Sequence, residues 1–237
     1  MAESDDEQIT LSSHALAALQ EFYGERDAHV DKFEKLKTVA EDERVASQPL
    51  SMDAFTEDWN KSQFWYSDET AILYAKQLLD GIREDEVVAV VSVPSVFIAL
   101  KNLLNAADAN TPKPKVVFLE HDQRFSVFPE FIFYDFLHPI KLPAELKGGV
   151  DRIICDPPFL SEDCQTKMAL TIRWMSRSTP RLIITTGERM ETLVTKLYRS
   201  LGAQTTTYEP VHTRGLSNEF YCYANFECHA WSFKGTK

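Results

Sequence analysis

Glycine is scarce in this 237-residue chain, with only eight, and the four cysteines (Cys155, Cys164, Cys222, Cys228) form no Cys-x-x-Cys pair. Scattered thiols, and no histidine cluster at metal-ligand spacing, give no ground for a disulfide framework or a metal site; they fit reduced thiols in a cytosolic or nuclear protein. No stretch approaches about 18 uninterrupted apolar residues, so no membrane span is expected. Positive charge is also short. Lys and Arg total 25 against 36 Asp and Glu, a formal net charge of −11. That balance lacks the basic footprint that phosphate-backbone binding requires, so no nucleic acid is expected and a basic protein partner fits better. The first ten residues are acidic and contain no apolar run, unlike a signal or transit peptide. The length suits one domain of generous size.

What is present falls into two parts. Residues 1–58 read as an acidic tail, an N-terminal helix with Leu16, Leu19, Phe22 and Tyr23 on one face, and a mixed, charged linker. Residues 59–237 read as one α/β domain. A helix is expected over Asp68 to Leu79, opened by acids and ended near Gly81. Apolar strand-length runs follow at Val87 to Val93, Lys115 to Glu120, Phe131 to Phe136, Val150 to Cys155 and Arg181 to Thr186. Helical stretches fall at Pro94 to Asn105, Ser161 to Met175 and Glu188 to Leu201. Fully apolar strands alternating with helices predict a mostly parallel sheet covered on both faces. Ala203 to Val211 and Glu219 to Cys228 read as a closing antiparallel pair.

In such a sheet ligands lie beyond the C-terminal ends of the strands. Asp156-Pro157-Pro158-Phe159 stands at one of these ends. The prolines donate nothing, so the Asp156 and Pro157 carbonyls are free to accept hydrogen bonds from an amino group, with the Asp156 carboxylate beside them and Phe159 as an apolar wall. This segment resembles the Asp/Asn-Pro-Pro-aromatic signature of S-adenosylmethionine-dependent amino-group methyltransferases. The plain alternative is a strand stop followed by a helix start.

Other strand ends supply cofactor candidates. Ser92, Pro94 and Ser95 turn the first strand into its helix, where backbone N–H groups can meet a carboxylate. The turn departs from the Gly-x-Gly expected there, which by itself favours a non-binding version of the fold. Glu120 is placed to accept from ribose hydroxyls, with Asp122 as the competitor. Asp135 and Phe136 are candidates for an adenine site, unless Asp135 is a solvated loop acid. Upstream, Tyr66 and Ser67 are candidates for the cofactor side, with Phe64 and Trp65 for the substrate; a staple for the following helix is the alternative. Asn218, Phe220 and Tyr221 open the last strand and are candidates for the substrate mouth.

Taken together, Gln-Phe-Trp-Tyr-Ser at 63–67, Ser-x-Pro-Ser-Val at 92–96, Phe-Ile-Phe-Tyr-Asp at 131–135, the Asp-Pro-Pro-Phe segment and Asn-Glu-Phe at 218–220 closely resemble one family. It is the eukaryotic lysine methyltransferase family acting on translation elongation factor 1A, formerly labelled N6-adenine-specific DNA methyltransferases. The N-terminal Leu-Ser-Ser-His-Ala-Leu stretch and the glycine-poor turn belong to its pattern too. The resemblance implies a seven-stranded Rossmann-like methyltransferase fold, S-adenosylmethionine as cofactor, elongation factor 1A as protein substrate, a cytoplasmic location and a monomer. It also implies that Asp156, Pro157, Pro158 and Phe159 carry the catalysis. Two other readings stay open: an adenine N6 methyltransferase with Phe159 stacked on a flipped base, and a non-catalytic adaptor with the same fold.

Overall fold

The computed structural model describes residues 49–55, 57, 63–215 and 219–235. The expected tail, N-terminal helix and most of the linker lie outside the described residues, as does Asn218.

Seven strands form one sheet in the order β3-β2-β1-β4-β5-β7-β6. They are β1 (Val87–Val91), β2 (Lys115–Glu120), β3 (Phe131–Phe133), β4 (Val150–Cys155), β5 (Ser176–Gly187), β6 (Gln204–Thr205) and β7 (Phe220–Ala224). The first five are parallel, and β7 runs antiparallel to both β5 and β6. The helices are α1 (Asp68–Leu79), α2 (Pro94–Ala106), α3 (Glu162–Met175) and the short α4 (Glu191–Leu197).

Successive strand residues point to opposite faces, and both faces are covered. Val88, Val90, Phe118, Ile154, Ile183 and Cys222 pack with α1 and α2, through Tyr74, Leu78, Phe97 and Leu100. Ala89, Val91, Leu119, Ile153, Ile184 and Tyr223 pack with α3, through Met168 and Ile172. This double burial is why the central stretches of β1, β2 and β4 at 87–91, 116–119 and 153–155 are apolar.

Helix starts follow local chemistry. Ser67 caps α1 by accepting from the Thr70 N–H at 3.3 Å, and Asp68 and Glu69 sit in the first turn against the helix dipole. Pro94 opens α2, where its missing N–H costs nothing. The other end of α1 is held from a distance. The buried Arg152 of β4 donates to the carbonyls of Leu78, Asp80 and Gly81, at 3.1, 2.6 and 3.0 Å, and to Glu86 at 3.0 Å.

Several elements differ from the expectation. The expected third strand is cut to Phe131–Phe133, because it pairs with β2 alone at the sheet edge, and Asp135 and Phe136 fall in the loop beyond it. The expected Glu188 to Leu201 helix is α4 flanked by two 3-10 turns. The expected Ala203 to Val211 strand keeps two residues, and beyond it pairing is reduced to an isolated bridge between Thr206 and Phe233. The described part of the expected linker packs on the domain: Phe55 stacks on Phe125 at 4.1 Å, and the Leu50 N–H donates to Asn102 at 2.8 Å.

Candidate active site

The C-terminal ends of β1, β2 and β4 open into a cavity of about 860 Å³, a volume in the range of small-molecule sites. Its wall gathers Ser92, Pro94 and Ser95 after β1, Glu120 at the end of β2, Asp135 and Phe136 after β3, and Asp156 to Phe159 after β4. Phe64, Trp65 and Tyr66 close one side and Phe220 of β7 another.

Two candidates are not brought there. Ser67 is spent on capping α1, and Tyr221 projects to the opposite face of the sheet from Phe220, with the Lys234 ammonium 3.5 Å from its ring centroid. Trp65 touches the cavity but is anchored as core. It is 7% exposed, its indole N–H donates to the Phe55 carbonyl at 3.1 Å, and its ring meets Phe125 edge-on.

Tyr66, a candidate for the cofactor side, lines the cavity and also contacts Asp156. Its hydroxyl donates to Asp156 Oδ2 at 2.7 Å, and its N–H donates to Ser95 Oγ at 3.3 Å. Burial pushes the Asp156 carboxyl up to about 7; the Tyr66 hydrogen bond opposes the rise and the nearby Glu120 charge adds to it. No donor among the described residues reaches the Asp156 or Pro157 carbonyl, so both remain available to a ligand. Phe159 lies at the mouth, 39% exposed, with its ring 5.7 Å from that of Phe136.

Glu120 and its competitor are separated by their partners. Asp122 is engaged by Arg124 at 2.6 Å and by Gln63 at 3.0 Å and does not line the cavity. Among the described residues no cation pairs with Glu120: its Oε1 accepts from the backbone N–H groups of His121 and Asp122 at 2.8 and 3.0 Å. Burial pushes its carboxyl up to about 7, while those two N–H groups and Arg124 oppose the rise and the Asp122 charge adds to it. A buried acid without a cation, facing a cavity, is suited to accepting hydroxyl groups. Both oxygens of Asp135 are already in use, from the Leu137 N–H at 2.9 Å and against His138 Nδ1 at 3.0 Å.

The first turn is also explained. Ser92 is the one non-glycine residue with positive φ among the described residues, at 56°, and its N–H donates to the Leu119 carbonyl at 2.8 Å. The left-handed turn that glycine usually supplies is present; serine adopts it, at a cost of about 1 kcal/mol.

Glu120 sets a stability prediction. Its carboxyl is raised in the folded chain, so its favourable contribution is complete below about pH 4 and is lost as pH climbs through about 7. Glu120→Gln removes the buried charge and keeps an acceptor for the two N–H groups. Without cofactor at pH 8 it should raise stability by roughly 2 kcal/mol, about 4–8 °C in melting temperature, with the gap closing near pH 5. Melting curves of both proteins across that range check it; a pH-independent gap refutes it.

Sequence reasoning missed His212 and Arg189 in the wall. Arg189 lies in the 3-10 turn after β5, and its guanidinium donates to the Leu160 carbonyl at 3.2 Å. Neither residue sits in a recognisable motif; only the tertiary fold brings them to the cavity.

Comparison with known proteins decides the family. The family described as "Probable N6-adenine methyltransferase" matches residues 57–228. Protein-lysine N-methyltransferase EFM5 of Saccharomyces cerevisiae is 42% identical, over 94% of each chain. EEF1A lysine methyltransferase 1 of Homo sapiens is 37% identical over 94% of each, and that of Gallus gallus 40% over 95% of this chain and 98% of its own. The chain belongs to the EEF1A lysine methyltransferase 1 family. Among solved structures, a branched-chain polyamine synthase from Thermus thermophilus shares the fold at a TM-score of 0.50 and 12% identity, covering 76% of this chain and 63% of its own. Among the described residues no helix is long and apolar enough to cross a membrane.

Proposed function

We propose that this chain is an S-adenosylmethionine-dependent protein-lysine methyltransferase whose substrate is a lysine of translation elongation factor 1A. The observation that carries the reading is the Asp156 carboxylate, half-buried at the end of β4, tuned to about 7 and held by Tyr66 beside two free carbonyls. The names of the relatives give the substrate class.

The residues present fit the cofactor. The α2 N-terminus, which has no side-chain cap, and the Ser92–Ser95 turn suit its carboxylate. Glu120 suits the ribose and Phe136 the adenine. When bound, S-adenosylmethionine supplies an electrophilic methyl group.

The protein's own part is to prepare the nitrogen. A free lysine has a pKa of about 10.4, so its ammonium must lose a proton first. Walls formed by Pro157, Pro158, Phe159 and Phe220 disfavour the ammonium by desolvation. Tyr66 occupies Asp156 Oδ2, which leaves Oδ1 to receive the amine and, with a carboxyl near 7, to take a proton at physiological pH. Alignment is the main contribution: a neutral amine has two N–H groups, and Asp156 Oδ1 with the free carbonyls beside it offers acceptors that help direct the lone pair. A monomer acting on its substrate in the cytoplasm is part of the same proposal.

The adenine reading keeps the same cavity, but a net charge of −11 opposes a nucleic-acid backbone. Tritiated S-adenosylmethionine offered together with elongation factor 1A, DNA and RNA separates the two. Label is expected in the protein, at lysine by mass spectrometry. Label in nucleic acid would sink the assignment, and no cofactor binding by calorimetry would favour the adaptor.

A further inference from the structure

His212 lies in the loop between β6 and β7, 9% exposed, and its backbone pairs with Tyr66 in an isolated bridge. Its ring is held between two others: the Tyr66 centroid is 4.4 Å away, and the Phe220 centroid is 4.6 Å away at 69°. The residue lines the cavity with Asp156 and Phe220. Neither ring nitrogen has a hydrogen-bond partner among the described residues, and neither is fully enclosed. A buried histidine ordinarily satisfies at least one nitrogen within the protein. Here the aromatic contacts fix the ring while its polar atoms stay bare beside a cavity. Burial pushes the imidazole down to about 4, so it is neutral at physiological pH.

Tyr66 connects this ring to the carboxylate, since its ring packs on His212 and its hydroxyl binds Asp156. The two acceptors therefore flank one tyrosine on the side of the cavity assigned to the target nitrogen. They differ in charge. A second carboxylate there would stabilise the ammonium and oppose its deprotonation, whereas a neutral imidazole accepts a hydrogen bond without adding negative charge.

We propose that His212 is a further catalytic residue: its neutral imidazole accepts a hydrogen bond from the lysine ε-nitrogen and, with Asp156, orients the lone pair. The inference rests on the lysine reading above. Wild-type protein is therefore assayed first with tritiated S-adenosylmethionine on elongation factor 1A; an inert wild type removes that reading and this one with it. With an active wild type, His212→Phe keeps an aromatic ring between Tyr66 and Phe220 and removes the acceptor. It should lower kcat by about 10- to 100-fold, with cofactor affinity by calorimetry unchanged within about two-fold, and His212→Gln should recover part of the loss. A kcat for His212→Phe within two-fold of wild type overturns the role, as does a glutamine variant no better than phenylalanine. Independently of any variant's activity, the ring ¹⁵N resonance of His212 in the wild type should shift when elongation factor 1A is added with S-adenosylhomocysteine. An unmoved resonance, with binding confirmed, also overturns it.

Discussion

Asp156→Ala is expected to lower kcat for methyl transfer by about 1,000-fold while leaving the fold and cofactor affinity close to wild type. The large effect follows from what the carboxylate does at once: it accepts from Tyr66 at 2.7 Å, faces the cavity beside free carbonyls, and has been brought by burial to about 7. Stability should change little because two effects oppose. Removing a desolvated carboxylate is favourable, and leaving the buried Tyr66 hydroxyl without its acceptor is unfavourable by about 1–3 kcal/mol. Asp156→Asn separates orientation from proton transfer. An amide that turns its NH2 toward the Tyr66 hydroxyl, which can accept, still offers its oxygen to an amine but cannot take a proton, so it should retain more activity than alanine, within about 10- to 100-fold of wild type. Single-turnover rates with calorimetric affinities check both variants. Equal losses for asparagine and alanine would make Asp156 chiefly a base, and wild-type turnover in the alanine variant would remove the segment's assigned role.

The second large effect lies at the other end of the same strand. Arg152→Ala is expected to cost about 3–5 kcal/mol of stability. It strips three carbonyls at the end of α1 of their donor and leaves the Glu86 carboxylate buried beside them, its oxygen no longer 3.0 Å from a guanidinium. Arg152→Lys should recover only a fraction, because one ammonium cannot reproduce a planar fork directed at four acceptors. With domain stabilities of about 5–15 kcal/mol, the alanine variant should be marginal at 37 °C. Urea denaturation measures the loss. Four residues of strand, about 13 Å, separate Arg152 from Asp156, so kcat per folded molecule should be retained.

The legible parts of the fold were those set by local chemistry and double burial. Val150 to Cys155 and Lys115 to Glu120 coincide with β4 and β2, since their central residues are buried on both faces of the sheet and mark them as strands. The α1 boundaries match because Ser67, the acids and Gly81 mark them. Edge strands were over-read: apolar residues continue past β3 where β2 ends, and past β6 the strand-favouring threonines pair only through an isolated bridge from Thr206 to Phe233. In the site, the Asp-Pro-Pro-Phe segment and Glu120 were visible because strand ends predict where a ligand sits. The Tyr66–Asp156 hydrogen bond spans 90 residues and left no local trace. His212 was equally hidden, as its function depends on what fails to contact it. Arg152 read as an ordinary polar residue in a strand, and only the fold reveals the carbonyls it serves.

The backbone contacts that fix Tyr66 bear on when the protein becomes competent. The Thr213 N–H donates to the Trp65 carbonyl at 2.9 Å, the Ser67 N–H donates to the Val211 carbonyl at 2.8 Å, and Thr213 Oγ1 reaches the Tyr66 carbonyl from 147 residues away. At ribosomal speeds of about 5–20 residues per second, the second half of this clasp emerges roughly 10–30 s after the first. Until then Tyr66 has only its own hydrogen bonds to Asp156 and Ser95 to hold it and lacks the clasp on its backbone. The side of the cavity wall that holds Tyr66 and His212 is thus completed last, because the backbone bonds that fix it need residues 211–213.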